Sequence, residues 1–181
     1  MRLLFAIAAI ALLHPTANAD PAEAMQRLSS LAGEFRVEGV RHTPDGPVEL
    51  EPTTATVAYT LNDLALVERS DTDLGQEEPV GLMTVFGYDT YREVYRISVI
   101  DDTWGVPDIY EGRFVSDGVL VVTNLRSDTH FPLEGGGRLH FQLRWDLTGD
   151  VKRFDVLMSG DGGASWSPYF ETKYIRVGDE E

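Results

Sequence analysis

The chain has no cysteine among its 181 residues. Disulfides therefore cannot staple it, and there is no lipobox cysteine to carry a lipid anchor. Basic side chains are scarce as well: 15 Lys and Arg stand against 30 Asp and Glu, for a formal charge of −15. No basic cluster interrupts this acidic surface, whose long-range field repels nucleic acid and anionic membranes. Nucleic acid is therefore excluded as a partner. Long apolar runs are missing except at Leu3 to Leu13, which is too short for a membrane helix of about 20 residues. Only four histidines occur, and no metal-spaced His/Asp cluster, nucleophile elbow, phosphate loop or dinucleotide fingerprint appears. Gly135-Gly136-Gly137 precedes a strand and not a helix, which makes it a turn and no phosphate cradle. No cofactor and no metal are expected.

The apolar run has the form of an export signal. Arg2 supplies the positive start, and Ala17-Asn18-Ala19 is an A-x-A cleavage site. Residues 1–19 are read as a signal peptide, with the mature chain starting at Asp20. Loss of Arg2 takes the charge from −15 to −16. An exported chain without disulfides fits a bacterial periplasm or exterior. The remaining length suits one domain, residues 20–177, followed by a frayed tail at 178–181.

What the chain has in abundance is period-two alternation. In Arg138-Leu139-His140-Phe141-Gln142-Leu143-Arg144-Trp145 every second residue is apolar, the signature of a strand with one dry face. About ten such strands are predicted: 34–42, 53–61, 65–74, 80–88, 92–101, 108–115, 119–124, 137–145, 153–159 and 169–177. Turn residues separate them, among them Pro44-Asp45-Gly46-Pro47, Asn62-Asp63 and Ser116-Asp117-Gly118. Short links make sequence neighbours pair, which gives an all-β, antiparallel up-and-down barrel. A short helix precedes it, with Asp20 as cap, Pro21 in the first turn, and Ala22, Met25, Leu28 and Leu31 at spacings of three. One apolar row holds Ala55, Val57, Tyr59 and Leu61, and another Tyr95, Ile97 and Val99. Segment 80–88 is apolar or small on both faces and is expected to be covered on both sides. About ten strands enclose more space than eight, which favours an internal cavity.

Three segments resemble a known family. Leu31-Ala32-Gly33-Glu34-Phe35-Arg36-Val37-Glu38-Gly39 is similar to the opening strand of calycin-like barrels. Leu61-Asn62-Asp63-Leu64-Ala65-Leu66-Val67-Glu68 and Phe86-Gly87-Tyr88-Asp89, followed by Tyr95 and Asp101, resemble blocks of the DUF1579 family of uncharacterised bacterial proteins. The resemblance spans roughly residues 28–177 and implies a ten-stranded calycin-like barrel without bringing an activity. Related nitrobindin-like barrels bind haem through a histidine on a late strand. Here 169–177 holds no histidine, and the alternation puts His140 on the polar face, so the resemblance does not extend to haem.

The candidate site is a ligand pocket inside the barrel. Tyr59, Tyr95, Trp104, Tyr110 and Trp145 are expected to supply its walls. Glu68, Arg96 and Arg113 are charges within apolar strands, and if inward they must pair or hold a ligand's polar end; Arg96 or Arg113 is expected to orient such a group. Asp101, in Asp101-Asp102-Thr103-Trp104-Gly105, falls at a barrel mouth. Ser159-Gly160-Asp161-Gly162-Gly163-Ala164-Ser165-Trp166 matches the Asp-box pattern S-x-D-x-G-x-[ST]-W of sialidases. Its physical content is a rigid turn, and its single occurrence excludes a propeller. The leading reading is an exported, non-enzymatic barrel for a small apolar or amphipathic molecule. Alternatives are a hydrolase or isomerase of the same fold, or an envelope interaction module with a filled barrel. A cavity of about 300 Å3 or more would favour the first two. Ligand identity and oligomeric state are not written in the residues.

Overall fold

The computed structural model of the chain describes residues 20–73 and 78–178. Residues 1–19, read above as a signal peptide, and residues 179–181 of the expected tail lie outside the described residues. A helix α1 (Pro21–Gln26) is followed by a 3-10 turn (Ser29–Leu31) and twelve strands. These are β1 (Gly33–Thr43), β2 (Gly46–Glu49), β3 (Thr53–Thr60), β4 (Ala65–Thr72), β5 (Val80–Asp89) and β6 (Val94–Asp101). They continue with β7 (Asp108–Ser116), β8 (Val119–Thr123), β9 (Phe131–Pro132), β10 (Arg138–Asp146), β11 (Lys152–Ser159) and β12 (Ser167–Arg176).

Ten of them form an antiparallel circuit that closes when β12 pairs β1, Val37 opposite Tyr174. β2 and β9 stand outside it as short extensions of β1 and β10. This is the calycin-like, up-and-down barrel expected from the alternation. The two extensions escaped the sequence reading because each is short and contains proline, Pro47 or Pro132, which interrupts the pattern.

The two ends of the barrel differ. At one end run the tight turns, including Leu61-Asn62-Asp63, whose φ angles of 53°, 56° and 65° are left-handed. Leu61 is therefore a turn residue, 72% exposed, and not the last member of an inner row. Helix α1 closes this end. The Asp20 carboxylate accepts from Ala22 N at 2.9 Å as an N-cap, and Met25, Leu28 and Leu31 are fully buried. They pack with Phe35, Leu66, Phe86, Ile97 and Leu120 in one core. The Arg27 guanidinium lies 3.8 Å from the Phe114 ring centroid and covers the edge of the plug. At the other end run the longer connections, including the Trp104 loop and the Asp-box hairpin.

Strand β5 buries Val80, Thr84 and Phe86, while Gly81, Met83 and Val85 are half-exposed. Its inner face is covered and its outer face only partly so, which falls short of the cover on both sides expected from its composition. Among the described residues no helix is long and apolar enough to cross a membrane.

Candidate functional site

The plug fills the barrel only part-way. Above it lies a cavity of about 210 Å3, open at the end opposite the helix. That is below the usual 300 Å3 of a drug-sized pocket, yet it is not a close-packed interior. Its floor is built by period-two placement: β4 turns Glu68 inward, β5 turns Thr84, β7 Asp108 and Tyr110, β10 Leu143 and Trp145, and β12 Tyr174.

Two carboxyl–phenol pairs define the floor's polarity. The Tyr174 hydroxyl donates to Glu68 Oε1 at 2.7 Å. Burial raises the Glu68 pKa from its ordinary value, and hydrogen bonds from Tyr174 and Ser70 oppose the rise only in part. Burial likewise pushes the Tyr174 phenol well up, reinforced by the neighbouring Glu68 charge. On the other side Tyr110 donates to the buried Asp108. Asp108 also accepts from Asn124 Nδ2 at 3.1 and 3.3 Å and from the Thr129 hydroxyl. Burial and the Asp108 charge raise the Tyr110 phenol well above its usual range. Trp145, 2% exposed, stacks on Phe154 with ring centroids 4.7 Å apart. Its indole N–H has no hydrogen-bond partner among the described residues.

The mouth is aromatic and acidic. Phe131 packs edge-on against Phe141, centroids 5.5 Å apart, and Phe141 reaches Tyr169 at 5.9 Å. Trp104 stands over the opening, 60% exposed. Its loop is turned by Asp101, whose carboxylate accepts from the backbone N–H groups of Thr103, at 2.9 Å, and Trp104. Glu51, Asp71 and Asp73 complete the charged part of the lining.

Of the residues expected in the site, Glu68, Asp101, Trp104, Tyr110 and Trp145 come together around this cavity. Tyr59 and Tyr95 do not. Both point inward, but below the floor, where their hydroxyls donate to Met25 O at 2.8 Å and Ala24 O at 2.7 Å and hold the plug. Burial pushes the Tyr95 phenol up to about 12, which keeps it a neutral donor.

Arg96 and Arg113 are on the outer face, a correction to their expected role. Arg96 bridges Asp89 at 3.1 Å and Glu111 at 3.2 Å, and Arg113 donates to the carbonyls of Arg92 and Glu93. Their neighbours Tyr95, Ile97, Tyr110 and Phe114 occupy the inner face, so alternation turns the arginines to water. Sequence reasoning missed Tyr174, Asp108, Thr84 and the Phe131–Phe141–Tyr169 wall. The alternation of Phe170, Thr172 and Tyr174 signals an inner row in the last strand. Nothing in the sequence says that it meets Glu68, 106 residues away.

Among the described residues no group of three or more His, Cys, Asp or Glu side chains is arranged to hold a metal ion. His42 binds Glu171 at 2.9 Å, and His130 and His140 lie against each other with ring centroids 5.5 Å apart. None of the three lines the cavity, so none is placed as an axial ligand inside the barrel. His140 is on the outward side as the alternation requires, but buried beneath the segment that carries His130. The Asp-box hairpin is a turn device. Asp161 accepts from the hydroxyls of Ser165 and Ser159 and from Ser165 N, bonds that hold its carboxyl well below the ordinary range.

No protein-family model and no curated protein matches the sequence. Among solved structures, the crystal structure of Rv2717c from M. tuberculosis is similar to this chain with a TM-score of 0.59 and 19% sequence identity. The match covers 87% of this chain and 99% of that one. A likeness at that identity is one of fold: this chain is a calycin-like barrel of the same architecture.

Proposed function

We propose that this protein is an exported barrel that binds a small, largely apolar or amphipathic molecule without transforming it. The observation that carries the reading is the cavity: open at one end, walled by aromatic and aliphatic side chains, with a few buried polar groups on its floor. That combination of an apolar concavity and sparse, convergent polarity is what ligand sites share. The export signal read in residues 1–19 supports a periplasmic or secreted location. The floor pairs Glu68–Tyr174 and Asp108–Tyr110 satisfy one another, which would leave the depth of the cavity to the ligand's apolar part.

One observation favours a second reading, an enzyme of the same fold. Burial holds the Glu68 carboxyl towards its protonated form, the state a general acid needs.

Native mass spectrometry of the chain from a bacterial periplasm, before and after organic extraction, tests the binding reading. A discrete mass lost on extraction is the expected result. No adduct, together with no shift in melting temperature against a panel of small apolar compounds, would leave a filled-barrel interaction module as the better account. Conversion of the extracted molecule on return to the protein, abolished by Glu68→Gln, would make it an enzyme.

A further inference from the structure

We infer that the ligand is an amphipathic cation, its apolar part inside the barrel and its positive head, an ammonium or similar group, at the mouth. The inference rests on the binding reading above and adds the ligand's charge. Every charged side chain that lines the cavity is acidic: Glu51, Glu68, Asp71, Asp73, Asp101 and Asp108. Among the described residues no lysine, arginine or histidine faces it. The excess of acid in the composition is not the whole reason. Arginines do occur on the barrel strands, but Arg69, Arg96, Arg113 and Arg144 project from the outer face, the last three against Asp, Glu or carbonyl partners. Arg41 and Arg176 share the parity of inner residues on β1 and β12, yet neither is in the lining, Arg176 being bonded below it to the carbonyls of Ala32 and Ser30. A carboxylate ligand would meet only like charge here and have no donor cation to hold it.

The mouth carries a second, independent feature of cation recognition. Phe131, Phe141 and Tyr169 form a contiguous aromatic wall, and the exposed Trp104 belongs to the same lining. Ring faces carry negative quadrupole potential and attract ammonium groups, more so where water is partly excluded. Asp101 is oriented next to Trp104 by the backbone N–H groups of its own turn. Aromatic rings and carboxylates therefore share the same opening. The deeper floor is different: Glu68 is bonded to Tyr174, and Asp108 to Tyr110, Asn124 and Thr129. Their polarity is already engaged, which leaves the depth of the cavity to the apolar part of the ligand.

Three probes with one tail separate charge preference from binding itself: octyltrimethylammonium, octanol and octanoate, titrated calorimetrically into the full chain at low salt. The cation should bind about tenfold more tightly than octanol and roughly 100-fold more tightly than octanoate. Asp101→Asn should weaken the cation far more than octanol and so erase most of the preference between them. Asp150→Asn, the same charge change in a turn at the helix end, should alter neither. Equal affinity for the three probes overturns the inference and leaves the binding reading standing, as does an equal loss in the two variants, which would trace the preference to net charge. If no probe binds, the inference falls together with the binding reading. Circular dichroism of each variant confirms that folding is intact.

Discussion

Glu68 is 4% exposed in the folded chain and fully hydrated in the unfolded one. Burial raises its folded pKa above the ordinary 4.5, so the folded state keeps the proton to higher pH than the unfolded state does. The contribution of this group to stability is therefore complete below pH 4.5 and is lost as pH rises through the raised value. The titratable group facing it is Tyr174 on β12; its cross-strand neighbours, Val57 on β3 and Thr84 on β5, carry no charge. Glu68→Gln should accordingly raise the melting temperature at neutral pH and change it little near pH 4, as thermal melts across pH will show. Tyr174→Phe acts in the opposite direction, since it strips a buried carboxyl of a donor at 2.7 Å. A loss of about 1–3 kcal/mol is expected in urea denaturation. The same residues show how far sequence reaches at this scale. Glu68 is two residues from Leu66 and so shares its face, and Arg96 lies between Tyr95 and Ile97 and so takes the other. Orientation follows from such parity, whereas the partner across the barrel does not.

Strands are held at fixed separations by what their side chains allow. At Gly112 on β7 an added Cβ would sit 2.0 Å from the carbonyl oxygen of Val121 on β8. The neighbour is backbone, so it cannot swing aside as a flexible side chain would. Gly112→Ala should cost about 1–3 kcal/mol through forced strand displacement, measurable as a lower denaturant midpoint. The hairpin from β11 to β12 is secured differently, by Asp161 gathering two hydroxyls and the Ser165 amide. Asp161→Ala should speed hydrogen exchange at the Ser165 amide while the melting temperature of the barrel moves little, because the turn is exposed and remote from the core. At this scale the alternation placed all ten barrel strands, but it extended the second one into Leu61. The tight Leu61-Asn62-Asp63 turn with its left-handed backbone overrides the apolar character of that leucine.

The molecule as a whole is a barrel stopped at one end and open at the other. A ligand that binds only the folded form stabilises it by mass action, about 2.7 kcal/mol at a free concentration 100 times its dissociation constant. Octyltrimethylammonium at that excess should raise the melting temperature, and Trp104→Ala should reduce the shift by removing an aromatic face from the mouth. Sequence by itself determined the class of fold, the number of barrel strands and which residues of a strand share a face, but not which charges turn inward, as Arg96 and Arg113 show. Those follow from the two-residue period of a strand and the chemistry of short turns, both local properties of the chain. Depth along the barrel was decided only by the tertiary structure. Tyr59 and Tyr110 are equally inward by period, yet the helix occupies one end and turns Tyr59 into its anchor, while Tyr110 remains on the floor of an open cavity. The meeting of Glu68 with Tyr174 and the uniform sign of the lining charges belong to the same category. They depend on which strands close the circuit and how far the plug reaches, and a local pattern carries no record of either.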